Sequence, residues 1–391
     1  MKKVLASLAD PLIALFVLVF FVTLGTGMVW SIIAVYAGSL GASVVMVGFM
    51  ISSFGGARIL VNFPSGFASE KFGRRQMMRL GCIMTVISSF TAVFAAGITP
   101  LFICLVLLGI GSAVFVTSAL AAVVDLGTPG RRMQDMSAYQ AATIIGISLG
   151  PGLGGMAAGQ WGYAAPFAFQ GGIAAVALVA LAFIPWRNAS AVSADEAAKQ
   201  AVSVKGILRQ AIGVGLMAFG IFYVRVASNW ILLPLLAQSK FGMSVDLIGL
   251  ALTCGALANL ACLPFMSWGA THIGRTGLIV ISSVVTITGA FVLAYPQSEI
   301  FIWLASICFG VGAGIASPTL TAFVADVAAP HQRGPAMGLL RTMQDASIIL
   351  GPVVTGFLSD RLDLGFRGGL FGCILIWTVA TVVFLWTARS R

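Results

Sequence analysis

The sequence predicts an all-α membrane protein with twelve transmembrane helices in two pseudo-symmetric six-helix halves. Two observations carry this prediction: a composition that suits lipid, and a residue pattern that occurs twice. Hydrophobic residues make up 59% of the 391 positions and charged residues 9%, with a mean hydropathy of +1.03. Soluble domains carry about 25% charged residues. We therefore expect the chain to fold in a bilayer.

The second observation is an internal repeat, in which the same letters return 201 residues further on without a gap. Examples are Asp125, Pro129, Arg132, Gly150, Pro151 and Gly155, which recur as Asp326, Pro330, Arg333, Gly351, Pro352 and Gly356. Solenoid repeats have periods of about 20–50 residues, so this pattern indicates one duplicated half. We predict an N-terminal half at 1–186, a cytoplasmic linker at 187–206 and a C-terminal half at 207–391.

Apolar runs long enough to cross a membrane follow one another along the chain, and runs of about 18 or more residues with few charges are typical of membrane helices. In the first half the predicted helices are 11–36, 46–67, 77–97, 101–125, 135–159 and 164–186. In the second half they are 208–236, 246–268, 277–295, 300–326, 336–359 and 367–388.

Basic residues orient the predicted helices. Most of the 22 Lys and Arg residues fall on one side if the N-terminus is inside, and loops rich in Lys and Arg stay in the cytoplasm. We therefore predict a multi-pass protein of the plasma (inner) membrane with both termini cytoplasmic. This bias accounts for the net charge of +10, so it indicates no nucleic-acid partner.

Four side chains within the apolar helices of the first half are candidates for a polar site. Thr26 and Trp30 on the first helix suit either helix packing or the lining of a pocket. Arg58 and Asn62 lie well inside the second helix. Charged groups at such depth are expensive and mark functional sites by default, so we interpret Arg58 and Asn62 as cavity residues.

A charged loop follows the second helix. It contains Gly66, Glu70, Gly73, Arg74 and Arg75. Gly66 permits a close helix crossing, Gly73 permits a turn, and Glu70 suits a helix N-terminus or a cation. This loop resembles the Gly-x-x-x-Asp-Arg-x-Gly-Arg-Arg motif of the major facilitator superfamily, with a glutamate in place of the aspartate. The resemblance implies the major facilitator fold.

The fifth helix carries a stripe of glycines one turn apart. Its residues are Gly146, Gly150, Pro151, Gly154 and Gly155, and part of the stripe recurs as Gly351 and Pro352. Small residues let helix backbones approach closely. The stripe is similar to the motif of the exporter branches of the same superfamily, which implies a drug-exporting transporter. The fourth helix departs from the superfamily's proton-driven exporters, which usually carry an arginine four residues before its first glycine. Here that glycine is Gly109, and Leu105 stands in the place of the arginine.

The second half supplies the remaining polar side chains within helices: Arg225, Asn229, Trp230, Asn259, Arg341, Gln344 and Asp345. Asp345 is the only acid that we place near the middle of the membrane. One interpretation is that Arg341 and Asp345, four residues apart, neutralise each other. The other is that Asp345 is a proton site, with Arg341 or Arg225 as the cation that releases the proton.

We therefore predict a secondary transporter that exports a small, partly apolar organic compound, with protons as the coupling ion. An importer or facilitator of a small organic anion is the alternative, because three deep arginines exceed one deep acid. A membrane enzyme is a remote third possibility, since the sequence has no metal-ligand cluster, nucleophile elbow or phosphate loop. We expect no cofactor, no metal and a monomer.

Overall fold

Helices account for nearly all of the chain that the structure describes. The structure is a computed structural model, and it describes residues 10–127, 131–184, 208–327, 333–361 and 365–388. The predicted linker at 187–206 lies outside these residues. In the first half the helices are α1 Pro11–Trp30, α2 Ile33–Ser39, α3 Val44–Phe72, α4 Arg74–Val93, α5 Ile98–Leu126, α6 Arg132–Trp161 and α7 Ala165–Phe183.

The second half begins with α8 at Leu208–Val224. A π-helical segment, Arg225–Leu232, follows without a break. The remaining helices are α9 Leu233–Phe241, α10 Val245–Cys262, α11 Met266–His272, α12 Arg275–Ala294, α13 Ile300–Val327, α14 Arg333–Arg361 and α15 Phe366–Ala388, with a 3₁₀ turn at Leu263–Phe265 between α10 and α11.

These elements form the twelve predicted membrane helices. Within the described ranges, eleven helical spans are long and apolar enough to cross a bilayer. The twelfth is α14, which has the length of its neighbours but is less apolar because it carries Arg341 and Asp345 at its centre. The helices pair within each half as the sequence repeat requires, with α1 against α6 in the first half and α8 against α14 in the second.

Two prolines explain the irregular turns that the sequence pattern did not predict. A proline lacks the backbone N–H that would bond the carbonyl four residues earlier, and its ring crowds that carbonyl. Pro234 lies just after the π-helical segment, and Pro264 lies within the 3₁₀ turn. In membrane helices, local π and 3₁₀ turns satisfy the backbone groups that a proline frees. The predicted helices 208–236 and 246–268 are therefore each divided.

The chain divides into two compact units. The first consists of Met1–Gly41, Ser53–Val192 and Val245–Gly249, and the second of Ala42–Ser52, Ser193–Ser244 and Leu250–Arg391. The core of the first unit brings together buried side chains of α1, α4, α5 and α7, including Leu15, Met78, Phe115 and Leu181. Its large apolar side chains fill the space between the helices and so fix their spacing.

Candidate functional site

The segment predicted as a charged loop is almost wholly helical, because α3 continues to Phe72, α4 begins at Arg74, and only Gly73 lies between them. The contacts of this segment are organised around Arg74. Its Nε donates to Asp125 Oδ2 at 3.0 Å, and its Nη1 donates to Ser69 Oγ at 2.5 Å. Glu70 is half exposed, and its Oε1 lies 3.9 Å from Arg74 Nη2. Asp125 at the end of α5 is therefore the main partner of Arg74. Sequence analysis did not include Asp125 in the site, although its recurrence as Asp326 was a signal.

Arg75 contacts a different helix. Its Nε donates to the carbonyl of Leu181 at 2.6 Å, and its Nη2 donates to the carbonyl of Ala182. Both carbonyls belong to the last turn of α7, where four carbonyls have no partner within the helix. A guanidinium there also suits the negative end of the helix dipole. Arg75 therefore caps α7 rather than only anchoring the loop at the membrane surface.

The two glycines of the loop differ in outcome. Gly73 has a positive φ of 90°, which glycine adopts without strain, and so the predicted turn is present. The close helix crossing predicted at Gly66 is absent from the described structure. No described atom lies within 4 Å of the position that a Cβ would occupy there. The turn between α3 and α4 thus requires a glycine at position 73, whereas no described helix packs against Gly66.

The glycine stripe of α6 packs against α1. A Cβ on Gly150 would lie 2.5 Å from the Cα of Gly27, and Cβ atoms on Gly146 and Gly154 would meet Thr23 and Met28. Such distances leave no room for any side chain, so the two backbones touch. The predicted groove is therefore filled by a helix of the same unit.

A second close contact is built twice, once in each unit. In the first unit a Cβ on Gly155 would lie 2.6 Å from the carbonyl oxygen of Val245, and one on Gly249 would meet the carbonyl of Pro151. In the second unit a Cβ on Gly356 would lie 2.7 Å from the Cα of Val45. Likewise, one on Gly48 would meet the carbonyl of Pro352. The repeated residues thus make the same packing contact in both units.

The predicted cavity residues of the first unit divide into packed and partly accessible side chains. Trp30 is buried, with its ring centre 4.8 Å from that of Phe54. Thr26 Oγ1 donates to the carbonyl of Val22 in its own helix at 3.0 Å. Arg58 and Asn62 are partly buried, one turn apart on α3. Trp30 and Thr26 are thus held by their neighbours, while Arg58 and Asn62 share an accessible face.

In the second unit the π-helical segment brings three predicted residues to one face. Its buried residues are Val226, Ala227, Ser228, Ile231 and Leu232. The three that remain partly accessible are Arg225, Asn229 and Trp230. In a π-helix hydrogen bonds join residues five apart, so positions four and five residues after Arg225 lie near it. An ordinary α-helix would turn Trp230 away from Arg225.

Asp345 is buried, with 8% of its surface accessible, whereas Arg341 is exposed on the same helix. Within the described chain no ion pair or hydrogen bond joins these two side chains. The geometry therefore does not support the interpretation that they neutralise each other. Gln344 beside them is partly buried, and so is Asn259 on α10, whose backbone packs against Gly314 of α13.

Arg225 and Asp345 also lie at different depths. A Cβ on Gly215 would lie 3.3 Å from Met343, and one on Gly351 would lie 3.2 Å from the ring of Tyr223. The two helices are therefore parallel with a constant offset, which puts Asp345 level with Met217. Arg225 lies eight residues after Met217, which is about 12 Å further along the helix axis at about 1.5 Å per residue. Neither arginine is thus a direct partner of Asp345.

No group of three or more metal-binding side chains occurs in the part of the chain that the structure describes. The free cysteines are buried or partly buried in helices, where a thiol acts as a small apolar group.

Charged and amide side chains within the apolar helices of a duplicated bundle are typical of one class of protein, the secondary transporters. A sequence match to the Major Facilitator Superfamily covers residues 15–228 and 215–391. The chain belongs to this superfamily, an integral membrane family of transporters rather than enzymes.

Known relatives agree with this assignment. Multidrug resistance protein 1 of Bacillus subtilis (strain 168) is 26% identical over 348 residues, which are 87% of each chain. Quinolone resistance protein NorA of Staphylococcus aureus is 22% identical over 353 residues, 88% of each chain. Relatives with these names confirm the resemblance to the drug-exporting branch. Among solved structures, a D-xylose-proton symporter superimposes with a TM-score of 0.77 at 19% identity, covering 98% of this chain and 97% of that one.

Proposed function

We propose that this protein exports small, partly apolar organic compounds in exchange for protons, by alternating access. The observation that carries the proposal is the buried carboxylate of Asp345 within α14, which has no ion-pair or hydrogen-bond partner among the described residues. The names of its relatives, which refer to resistance to drugs and to quinolones, support the direction and the kind of cargo. The transporter would act as a monomer in the plasma membrane with both termini in the cytoplasm.

A carboxylate without an ion-pair partner suits proton exchange. Loss of water favours the neutral form of a carboxyl group, and access to water favours the charged form. If helix movements alternately wet and dry Asp345, it takes up a proton from one side and releases it to the other. Since Arg341 is exposed and Arg225 lies at another depth, release would depend on water rather than on a fixed arginine.

The test is transport by the purified protein in liposomes. Asp345→Asn removes the proton carrier while keeping the shape, so gradient-driven accumulation should fall to background. Counterflow of substrate down its own gradient should continue. Glu299→Gln is the matched control, because Glu299 is an exposed acid between α12 and α13, and this variant should accumulate substrate normally. Full accumulation by Asp345→Asn would remove Asp345 from the mechanism.

A second variant distinguishes coupling from folding. The double variant Arg341→Gln with Asp345→Asn removes one positive and one negative charge from α14, so the net charge of the helix does not change. If Asp345 served only to balance Arg341, this double variant would regain proton-coupled transport. We expect no recovery, with normal expression and a single species in size-exclusion chromatography.

Import or facilitated diffusion of an organic anion is the second candidate. The accessible Arg225 without an acid partner in the described chain favours it. The same liposomes distinguish the two, because a facilitator would equilibrate anions at the same rate with and without a proton gradient. An exporter would concentrate its substrate only when the gradient is present.

A further inference from the structure

The accessible face of the π-helical segment has the composition of a binding site. Arg225 forms no ion pair or hydrogen bond with any residue that the structure describes, and its guanidinium carbon lies 5.7 Å from the ring centre of Phe222. Asn229 Oδ1 is buried without a hydrogen-bond partner in the described chain. Five guanidinium donors and one amide acceptor on this face are thus available to a ligand.

The position of this face within its helix disfavours contact with lipid tails. The membrane span is Ile212–Phe241, so Arg225 is about 20 Å from one end and about 24 Å from the other at about 1.5 Å per residue. Charged side chains at that depth face the interior of a bundle or a water-filled cavity. The rest of the segment is buried in the second unit, and we therefore expect its partly accessible residues to face such a cavity.

We infer that Arg225 and Asn229 bind a carboxylate, or a similar planar anion, that stands next to a hydrogen-bond donor. The guanidinium fork matches both oxygens of a carboxylate. The Asn229 carbonyl then accepts the neighbouring N–H or O–H of the same molecule. Trp230 and Phe222 lie beside them and suit a flat apolar body. This inference rests on the proposed transport function and names its substrate class: amphipathic organic acids and zwitterions with an aromatic or apolar part.

The π turn is what makes the three groups act together. The wider helix of Arg225–Leu232, which ends just before Pro234, places Arg225, Asn229 and Trp230 on the same face. An α-helix would bring Asn229 near Arg225 but would turn Trp230 away. A ligand that meets all three would also satisfy the Asn229 oxygen. An acceptor that is buried without a partner is destabilising, so this contact would favour binding.

The test measures binding without any gradient, on the full-length protein in detergent, by titration calorimetry. The probe is N-(2-naphthoyl)glycine, which has an apolar ring, an amide N–H and a carboxylate. Its methyl ester lacks the charge, and its N-methyl derivative lacks the donor. We expect the acid to bind about tenfold to a hundredfold more tightly than the ester, as for one charge-assisted pair.

Variants assign the preference to particular side chains. Arg225→Gln should reduce the ratio of acid to ester affinity to about one, and Arg225→Lys should give an intermediate ratio because it keeps the charge without the fork. Asn229→Leu should abolish only the preference for the amide N–H. The control is Arg79→Gln, a cytoplasmic arginine of α4, which should keep the wild-type ratio.

Three outcomes would overturn the inference: equal affinity of the wild type for acid and ester, an unchanged ratio in Arg225→Gln, or tighter binding of the cation (2-naphthylmethyl)trimethylammonium. The affinities of the acid, the ester and the cation are compared on the wild-type protein, so a folding defect of a variant does not affect this comparison. Failure of the proposed export is distinguishable as well. Asp345→Asn should keep the acid preference, whereas loss of gradient-driven transport concerns the coupling alone.

Discussion

Two adjacent arginines in the first turn of α4 bind the ends of different helices. Arg74 holds Asp125 at the end of α5, and Arg75 holds two carbonyls at the end of α7. The sequence motif alone does not distinguish the roles of the two arginines. Their different tasks arise because neighbouring residues in the first turn of α4 point about 100° apart, and so towards different neighbours.

At this scale we predict that Asp125→Asn destabilises the protein more than Glu70→Gln. Asp125 accepts a hydrogen bond of 3.0 Å from Arg74, while Glu70 is half exposed at 3.9 Å. A hydrogen bond to a charged group contributes about 1.5–3 kcal/mol, and an exposed ion pair about 0–1 kcal/mol. Thermal unfolding of the purified variants gives the comparison. Equal melting temperatures would mean that Arg74 exchanges freely between the two acids.

At the scale of elements, the contact of α6 with α1 depends on the absence of side chains. Gly150 and Gly27 bring the two backbones together, so a residue at either position must separate them. This contact lies beside Trp30, which packs on Phe54 of α3. Displacement of α6 would therefore also disturb the helix that carries Arg58 and Asn62.

We predict that Gly150→Leu reaches the membrane but loses transport. A leucine there would overlap Gly27, and overpacking costs about 1–3 kcal/mol or more. The measurement is substrate transport at matched expression. Gly172→Leu is the control, since nothing lies within 4 Å of a Cβ at Gly172 of α7, and it should transport normally. Normal transport by Gly150→Leu would show that α1 and α6 separate at no cost.

At the scale of the whole molecule, the sequence repeat is also a repeat of contacts. Gly48 against Pro352 in the second unit corresponds to Gly249 against Pro151 in the first. These contacts explain why Ala42–Ser52 and Val245–Gly249 each belong to a unit different from that of their neighbours in sequence. The second unit adds two hydrogen bonds, from Ser52 Oγ to the carbonyl of Ile349 at 2.5 Å and from the Val45 amide to Asp360 Oδ2 at 3.1 Å.

We predict that Gly48→Leu and Gly249→Leu have similar effects on stability. A Cβ at Gly48 would lie 2.8 Å from the carbonyl carbon of Pro352, and one at Gly249 would lie 2.8 Å from the Cα of Gly155. Each should lower the free energy of unfolding by about 1–3 kcal/mol, measured by thermal unfolding. Gly56→Leu, where a Cβ meets nothing within 4 Å, should be neutral. A large effect of only one variant would contradict the equivalence of the two contacts.

The sequence by itself determined the membrane fold, the twelve helices, the duplication and the presence of a glycine groove on α6. Composition and periodicity are local properties, and they state which environment a segment needs. Pro234 was also visible, and it carried an unused signal for an irregular turn before it. The sequence likewise identified Asp345 as the deep acid, and its role in proton coupling stays a prediction.

Only the tertiary structure decided which partners these groups have. It placed α1 in the groove of α6, gave Arg74 to Asp125, and left Asp345 without Arg341 although the two are four residues apart. It also joined Arg225, Asn229 and Trp230 on one face through a π turn. The physical reason is that helical periodicity fixes the direction of a side chain about its own axis. What stands in that direction depends on the packing of other helices, which are distant in the chain.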